Sequence, residues 1–220
     1  MTICCTTDLN NTRPSTMSPL KPEHILAKVL LTPRLSLVLL EFGDDATLDF
    51  CRSALGMEGR PQWTRSDFRR LCYSVMFKPS DTRGRLSANP GVYVIRIGDD
   101  AENGTPIGMI NVSRRVPDVP VDLGFMILPE YRRLGYGTEA AGEVLRYFRE
   151  EWMREICLLT QETNVAARKL AERIGFVDGG WVKFEGKREV AYVLPGMEKL
   201  KGQKVKFWGD GKVPEEEGEA

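Results

Sequence analysis

The chain has 220 residues, 42% hydrophobic and 28% charged, and its 31 basic and 31 acidic side chains cancel. That length can bury one substantial core and hardly two, and a neutral chain without a basic patch gives nucleic acid little to recognise. The longest near-apolar run, Val29 to Leu40, is broken by Thr32-Pro33-Arg34 and excludes a membrane-spanning helix.

The first residues, 1–22, are rich in Thr, Asn, Ser and Pro and read as a disordered leader, with no apolar core of a signal peptide. A single domain is expected over 23–200, followed by a mobile acidic tail over 201–220. Within the domain, Leu35 to Glu41 reads as a strand. Asp44 to Leu55 and Ser66 to Phe77 read as helices, with Asp44 or Asp45 and Ser66 as caps and a Gly- and Pro-containing link between them. After a turn-rich stretch from Lys78 to Pro90, strands follow at Gly91 to Ile97 and Pro106 to Val112. A strand at Val121 to Leu128 leads into a helix from Tyr136 to Glu151, in a segment whose apolar Ala141, Val144, Leu145, Phe148 and Trp152 recur at helical spacing. A strand at Glu155 to Thr160, a helix at Asn164 to Ile174 stopped by Gly175, and strands at Phe176 to Glu185 and Arg188 to Leu194 complete the order.

Five cysteines (Cys4, Cys5, Cys51, Cys72, Cys157) make an odd set without C-x-x-C spacing. They read as reduced thiols of a cytoplasmic protein, or a nuclear one, and metal ligation gains no support from them. Cys157, in mid-strand, reads as a small buried apolar residue. His24 is the one histidine and lies beside Pro22, where a linker role is expected rather than catalysis, while Trp63 sits in the link between the first two helices.

The segment Arg132-Arg133-Leu134-Gly135-Tyr136-Gly137-Thr138 joins a strand closed by Pro129 to the start of a long helix. The free N–H groups of a helix's first turn, with the helix dipole behind them, make such a junction an anion site. Gly135 and Gly137 allow backbone to approach a bulky anion, and Arg132 and Arg133 can add charge-assisted donors. The expected guest is a pyrophosphate. Neither G-x-x-x-x-G-K-[ST] nor a strand-borne G-x-G-x-x-G is present, which sets aside the P-loop and dinucleotide readings.

Arg132-x-x-Gly135-x-Gly137 resembles the acetyl-coenzyme A signature of the GNAT superfamily of N-acetyltransferases. Three further blocks resemble the ribosomal-protein N-terminal acetyltransferase-like branch: Thr32-Pro33-Arg34-Leu35-Ser36-Leu37, Asp122-Leu123-Gly124-Phe125-Met126-Ile127, and Asn164 to Leu170 followed by Ile174-Gly175-Phe176. Gly135-Tyr136-Gly137-Thr138-Glu139-Ala140 also matches that branch's "G-Y-A-T-E-A". The resemblance covers roughly Leu31 to Pro195. It implies an α+β fold: a central mixed, mostly antiparallel sheet of about seven strands, flanked by about four helices and splayed between strands four and five.

The resemblance also implies the chemistry, transfer of acetyl from acetyl-CoA, a co-substrate, to an amine, with no metal. Backbone groups of Phe125, Met126 and Ile127 would pair with the pantetheine arm, and the Ile127 N–H would face the thioester carbonyl as oxyanion donor. Residues Arg132, Arg133, Leu134, Gly135, Tyr136, Gly137 and Thr138 would hold the pyrophosphate, and Asn164 the pantetheine amide. Asp122 stands where the family often places a glutamate and is the candidate base, with a purely structural role at the strand's start as the alternative. A tyrosine that some relatives place seven residues after the asparagine is Ala171 here, and a small hydroxyl at three residues is Ala167. Ser113 is a substitute donor on paper, though a surface or turn hydroxyl is the plainer reading.

Three functions stay open from sequence: an N-acetyltransferase acting on a primary amine of a small molecule or protein N-terminus, a catalytically weak CoA-binding regulatory or interaction protein, and transfer of another acyl group or to oxygen.

Overall fold

The computed structural model describes residues 26–41, 43–57, 64–76, 91–113, 120–151, 155–184, 187–197 and 203–205. The leader, His24, Trp63, the stretch 78–90 and the tail after residue 205 lie outside these. Among the described residues nine strands form one sheet: β1 (Val29–Leu31), β2 (Leu35–Leu39), β3 (Gly91–Ile97), β4 (Pro106–Ser113), β5 (Val121–Ile127), β6 (Ile156–Gln161), β7 (Val177–Phe184), β8 (Lys187–Val193) and β9 (Gln203–Val205). Four α-helices accompany them: α1 (Asp45–Ala54), α2 (Arg65–Met76), α3 (Tyr136–Glu151) and α4 (Val165–Arg173).

The strand order is β1-β2-β3-β4-β5-β6-β8-β7-β9. Neighbours are antiparallel except β5 with β6 and β7 with β9. The expected seven strands are present, and two three-residue edge strands are added. Thr32-Pro33-Arg34, read from sequence as an interruption, is the turn of a β1–β2 hairpin. Gln203–Val205, which the sequence reading assigns to the tail, pairs with β7.

Each helix buries the stripe its sequence offers. In α3, Ala140, Ala141, Val144, Leu145 and Phe148 are all buried. They recur three and four residues apart, so they share one face. With Leu170 and Ala171 of α4 they pack on Leu37, Ile110, Leu123 and Leu158 from one face of the sheet. Burying a leucine or phenylalanine of this kind is worth about 1.5–3 kcal/mol. The opposite face carries a second core, in which Leu48 and Cys51 of α1 and Phe68 and Cys72 of α2 meet Val92, Val94 and Met109.

Caps set the helix starts. The Asp44 carboxylate accepts the Thr47 N–H at 3.0 Å, as expected of an N-cap. For α2 the cap is Thr64, not Ser66: the Asp67 N–H donates to Thr64 Oγ1 at 3.2 Å, and Asp67 accepts the Thr64 N–H at 3.1 Å. This reciprocal box satisfies two donors at once, which a serine already inside the first turn cannot do.

The site is positioned by one irregularity. β5 and β6 pair only at Val121 with Ile156 and at Asp122 with Cys157, and then diverge. This is the splay expected between the fourth and fifth strands of the sequence reading, now β5 and β6 because β1 precedes them.

Candidate functional site

β5 leaves the sheet beside β4 with full pairing from Asp122 to Ile127 on that side. Backbone groups alternate in direction along a strand. The Leu128 N–H donates to the Ile107 carbonyl at 2.9 Å, and Met126 is registered with Met109. Met126 therefore turns its backbone to β4, whereas Phe125 and Ile127 turn theirs to the gap left by β6. Of the three residues read as a pantetheine edge, two present backbone there and Met126 does not.

A cavity of about 880 Å³ follows the gap. At one end it is lined by Leu123, Phe125, Ile127, Leu158 and Leu159; at the other by Arg132, Arg133, Gly135, Tyr136, Gly137 and Thr138 from the loop and α3. From α4, Asn164, Ala167, Lys169 and Arg173 complete the wall. Four cationic side chains and no carboxylate line it. In a chain of zero net charge, such a one-sided lining focuses positive potential inside a low-dielectric cleft.

The loop has the shape an anion needs. A short 3₁₀ turn, Pro129–Tyr131, ends β5. Arg133 then takes φ 63° and Gly135 φ 86°. Left-handed residues in such a run gather successive N–H groups into a concave nest. Glycine is favoured at 135 by that dihedral, and a β-carbon there would also come tightly, at 3.2 Å, against Arg34 Nη2. The α3 amides that follow have no intrahelical partners. Arg132 braces the loop rather than reaching outward with its Nε, which donates to the Ile127 carbonyl at 2.9 Å. Arg133 and Leu134 are exposed. Tyr136 opens α3, and the Arg34 guanidinium lies 4.7 Å from its ring centroid.

Asn164 lines the cavity from the N-cap of α4, where its Oδ1 accepts the Ala167 N–H at 3.1 Å. Its oxygen is thus a cap, and the amide NH₂ is the end with donors to offer. Ala167 and Ala171 are buried on the inner face of α4. Cys157 is fully buried, as expected.

Asp122 is 1% exposed, and its Oδ1 accepts the Leu159 N–H at 2.8 Å, from beyond the divergence of the strands. On the same sheet face, towards α1 and α2, stand Asn111, Ser113 and Gly124, since Met109 and Met126 of the same strands pack there. Asn111 Nδ2 donates to Ser113 Oγ at 3.2 Å. Ser113 is buried and registered opposite Asp122, which corrects its reading as a surface or turn hydroxyl. A β-carbon on Gly124 would fall 2.7 Å from Asn111 Oδ1, so the glycine makes room for that amide.

Residues 34–177 match the family model of the acetyltransferase (GNAT) domain, about two thirds of the chain. The chain belongs to the GNAT acetyltransferases. It is accordingly an acetyl-CoA-dependent acetyltransferase, and the apolar gap running into a cationic nest fits a co-substrate with a slender arm and a polyphosphate end. Similar solved structures include a GNAT acetyltransferase from Bacillus anthracis (20% identity, TM-score 0.53, covering 76% of this chain and 97% of that one). Another is a GNAT-family acetyltransferase from Bordetella pertussis (19%, 0.56, 76% and 99%). A third is RimL, a ribosomal L7/L12 alpha-N-protein acetyltransferase, in complex with coenzyme A (13%, 0.52, 75% and 96%). At these identities the likeness is one of fold. No curated protein matches the chain. Among the described residues, no cluster of His, Cys, Asp and Glu could hold a metal, and no helix is long and apolar enough to cross a membrane.

Sequence reading passed over three residues that the structure ties to the loop: Thr32, Arg34 and Glu139. The signal was present, since they are polar positions of the Thr32–Leu37 and Gly135–Ala140 blocks, but their meeting across more than a hundred residues is not visible locally.

Proposed function

We propose that the chain transfers the acetyl group of acetyl-CoA to a primary amine, on a small molecule or a protein N-terminus, by direct attack while both substrates are bound. The observation that carries this reading is the β5–β6 gap, which continues into the loop nest within one cavity. Acetyl-CoA supplies an activated acyl group, so the protein's tasks are to hold, orient and move protons.

In this reading the nest of Arg132 to Thr138 holds the pyrophosphate, with Arg132 acting partly through its hold on the Ile127 carbonyl. The Phe125 and Ile127 backbone groups in the gap pair with the pantetheine arm, and the Asn164 amide NH₂ donates to it. The Ile127 N–H donates to the developing oxyanion, where a preorganised donor is most effective. Asp122 takes the ammonium proton. The Leu159 bond fixes its carboxylate in place. The amine then approaches from the α1/α2 face, past Asn111 and Ser113.

Calorimetric titration with acetyl-CoA and coenzyme A, followed by an amine screen for thiol release, tests the proposal. Micromolar binding and turnover with at least one amine are expected. The second reading, a weakly active or inactive CoA-binding protein, draws on Ala167 and Ala171, which are buried and stand where some relatives carry a small hydroxyl and a tyrosine. Binding without thiol release across the screen would favour it.

A further inference from the structure

The β1–β2 turn reaches over to the first turn of α3 and grips it. Glu139 Oε1 accepts from Thr32 Oγ1 at 2.6 Å and from the Arg34 backbone N–H at 3.0 Å, while its Oε2 accepts from Arg34 Nε at 2.7 Å and stands 2.6 Å from Arg34 Nη2. Arg34 Nη1 meanwhile donates to the Leu134 carbonyl at 3.1 Å. Thr32 is held in turn by the Leu35 N–H at 2.9 Å. Backbone, hydroxyl and guanidinium thus converge on one carboxylate at the edge of the anion loop.

We propose that Thr32, Arg34 and Glu139 form a strut that sets the pyrophosphate loop in its binding conformation, Arg34 and Glu139 being positioning residues for acetyl-CoA. The inference rests on the assignment of that loop to the pyrophosphate. A trans peptide is planar and its C=O and N–H point in opposite directions. By drawing the Leu134 carbonyl to itself, Arg34 turns the Gly135 N–H the other way, to the side where Gly135 lines the cavity. The same guanidinium covers the Tyr136 ring and stands where a Gly135 side chain would be. It therefore holds residues 134 and 136, on either side of Gly135.

Glu139 has a second task. A carboxylate in the first turn of a helix interacts favourably with the dipole and competes there with an incoming anion. Here its charge is drawn sideways into Arg34 and Thr32, and Glu139 is absent from the cavity wall. An Arg–Glu pair with the guanidinium about half exposed contributes little to stability by itself. Two guanidinium nitrogens on one carboxylate oxygen, with hydroxyl and backbone donors on the other, fix direction instead, which a lysine at 34 cannot reproduce.

The test uses the full chain and the variants R34A, R34K, E139A and E139Q, with acetyl-CoA followed by calorimetry and S-acetylpantetheine, a thioester without phosphate, by ligand-observed NMR. Loss of hydrogen bonds to charged groups predicts acetyl-CoA binding weakened roughly tenfold to hundredfold in E139A and R34A. R34K is expected to stay weak, and S-acetylpantetheine to bind each variant as it binds wild type. A folded E139A with wild-type affinity for acetyl-CoA overturns the strut, and so does equal weakening of both ligands. Should the alanine variants not fold, R34K and E139Q decide by the same comparison. Failure of wild type itself to bind acetyl-CoA would instead strike the loop assignment.

Discussion

The Asp122 carboxylate accepts the Leu159 N–H at 2.8 Å, just past the last backbone pair that joins β5 to β6. A side chain here takes the place of the strand partner that the divergence removes, so the slot opens without stranding a buried donor. D122N keeps an acceptor for Leu159 and loses the proposed base. It is expected to bind acetyl-CoA as wild type does while kcat falls about 10²- to 10⁴-fold. D122A leaves the buried N–H unsatisfied, at a cost of about 1–3 kcal/mol in denaturant-measured stability. Wild-type turnover in D122N would reduce Asp122 to its structural bond.

Valine at both Gly135 and Gly137 should abolish acetyl-CoA binding in a folded protein. The strain at position 135 alone is about 1–3 kcal/mol for a β-branched residue with positive φ. Calorimetry and circular dichroism on one sample check this, and wild-type affinity in the double variant would disprove the loop assignment.

Gly124 and Asn111 should be energetically coupled. A methyl at 124 would fall 2.7 Å from Asn111 Oδ1, so G124A is expected to cost about 1–3 kcal/mol by overpacking. N111A clears the space, and the double variant should recover at least about 1 kcal/mol relative to additivity. Additive losses in a denaturation cycle would mean that the two do not share this space.

Glu139 predicts an acid-dependent contribution to stability. Desolvation pushes its pKa up, but the bonds from Thr32 and Arg34 outweigh it and hold the carboxyl below its ordinary 4.5. A group with a lowered folded pKa stabilises above its unfolded value, and this is lost as pH falls through the folded one. E139Q should therefore be less stable than wild type at neutral pH, with the gap narrowing below about pH 4.5. Parallel curves of melting temperature against pH for the two proteins would contradict this.

Burial pushes the Cys51 and Cys72 thiols up to about 12, beyond the reach of neighbouring Arg96 in the case of Cys51. Since the thiolate is the nucleophile, iodoacetamide at about pH 8, near the ordinary thiol pKa, should leave both unlabelled in native protein and label both after unfolding. Rapid native labelling on peptide mapping would show that the α1–α2 core opens readily.

The α+β class came from the resemblance of four motif blocks; the sequence by itself determined the order of the longer elements and the strand–loop–helix junction proposed as the anion site. Those rest on local signals: the 3.6-residue stripe of α3, the paired glycines 135 and 137, and Asp44 three residues before the amide it caps. β1 and β9 escaped because three-residue edge strands carry too few side chains to show a period, and Thr64 lost the α2 cap to Ser66 because either can begin a helix. Only the tertiary structure decided where β5 and β6 part, that Met126 turns its backbone to β4, that Ser113 is buried opposite Asp122, and that Arg34 reaches Glu139 105 residues away. These depend on which surfaces meet when the sheet assembles, and a chain's local pattern of apolar, polar and glycine residues does not encode contacts between segments so far apart.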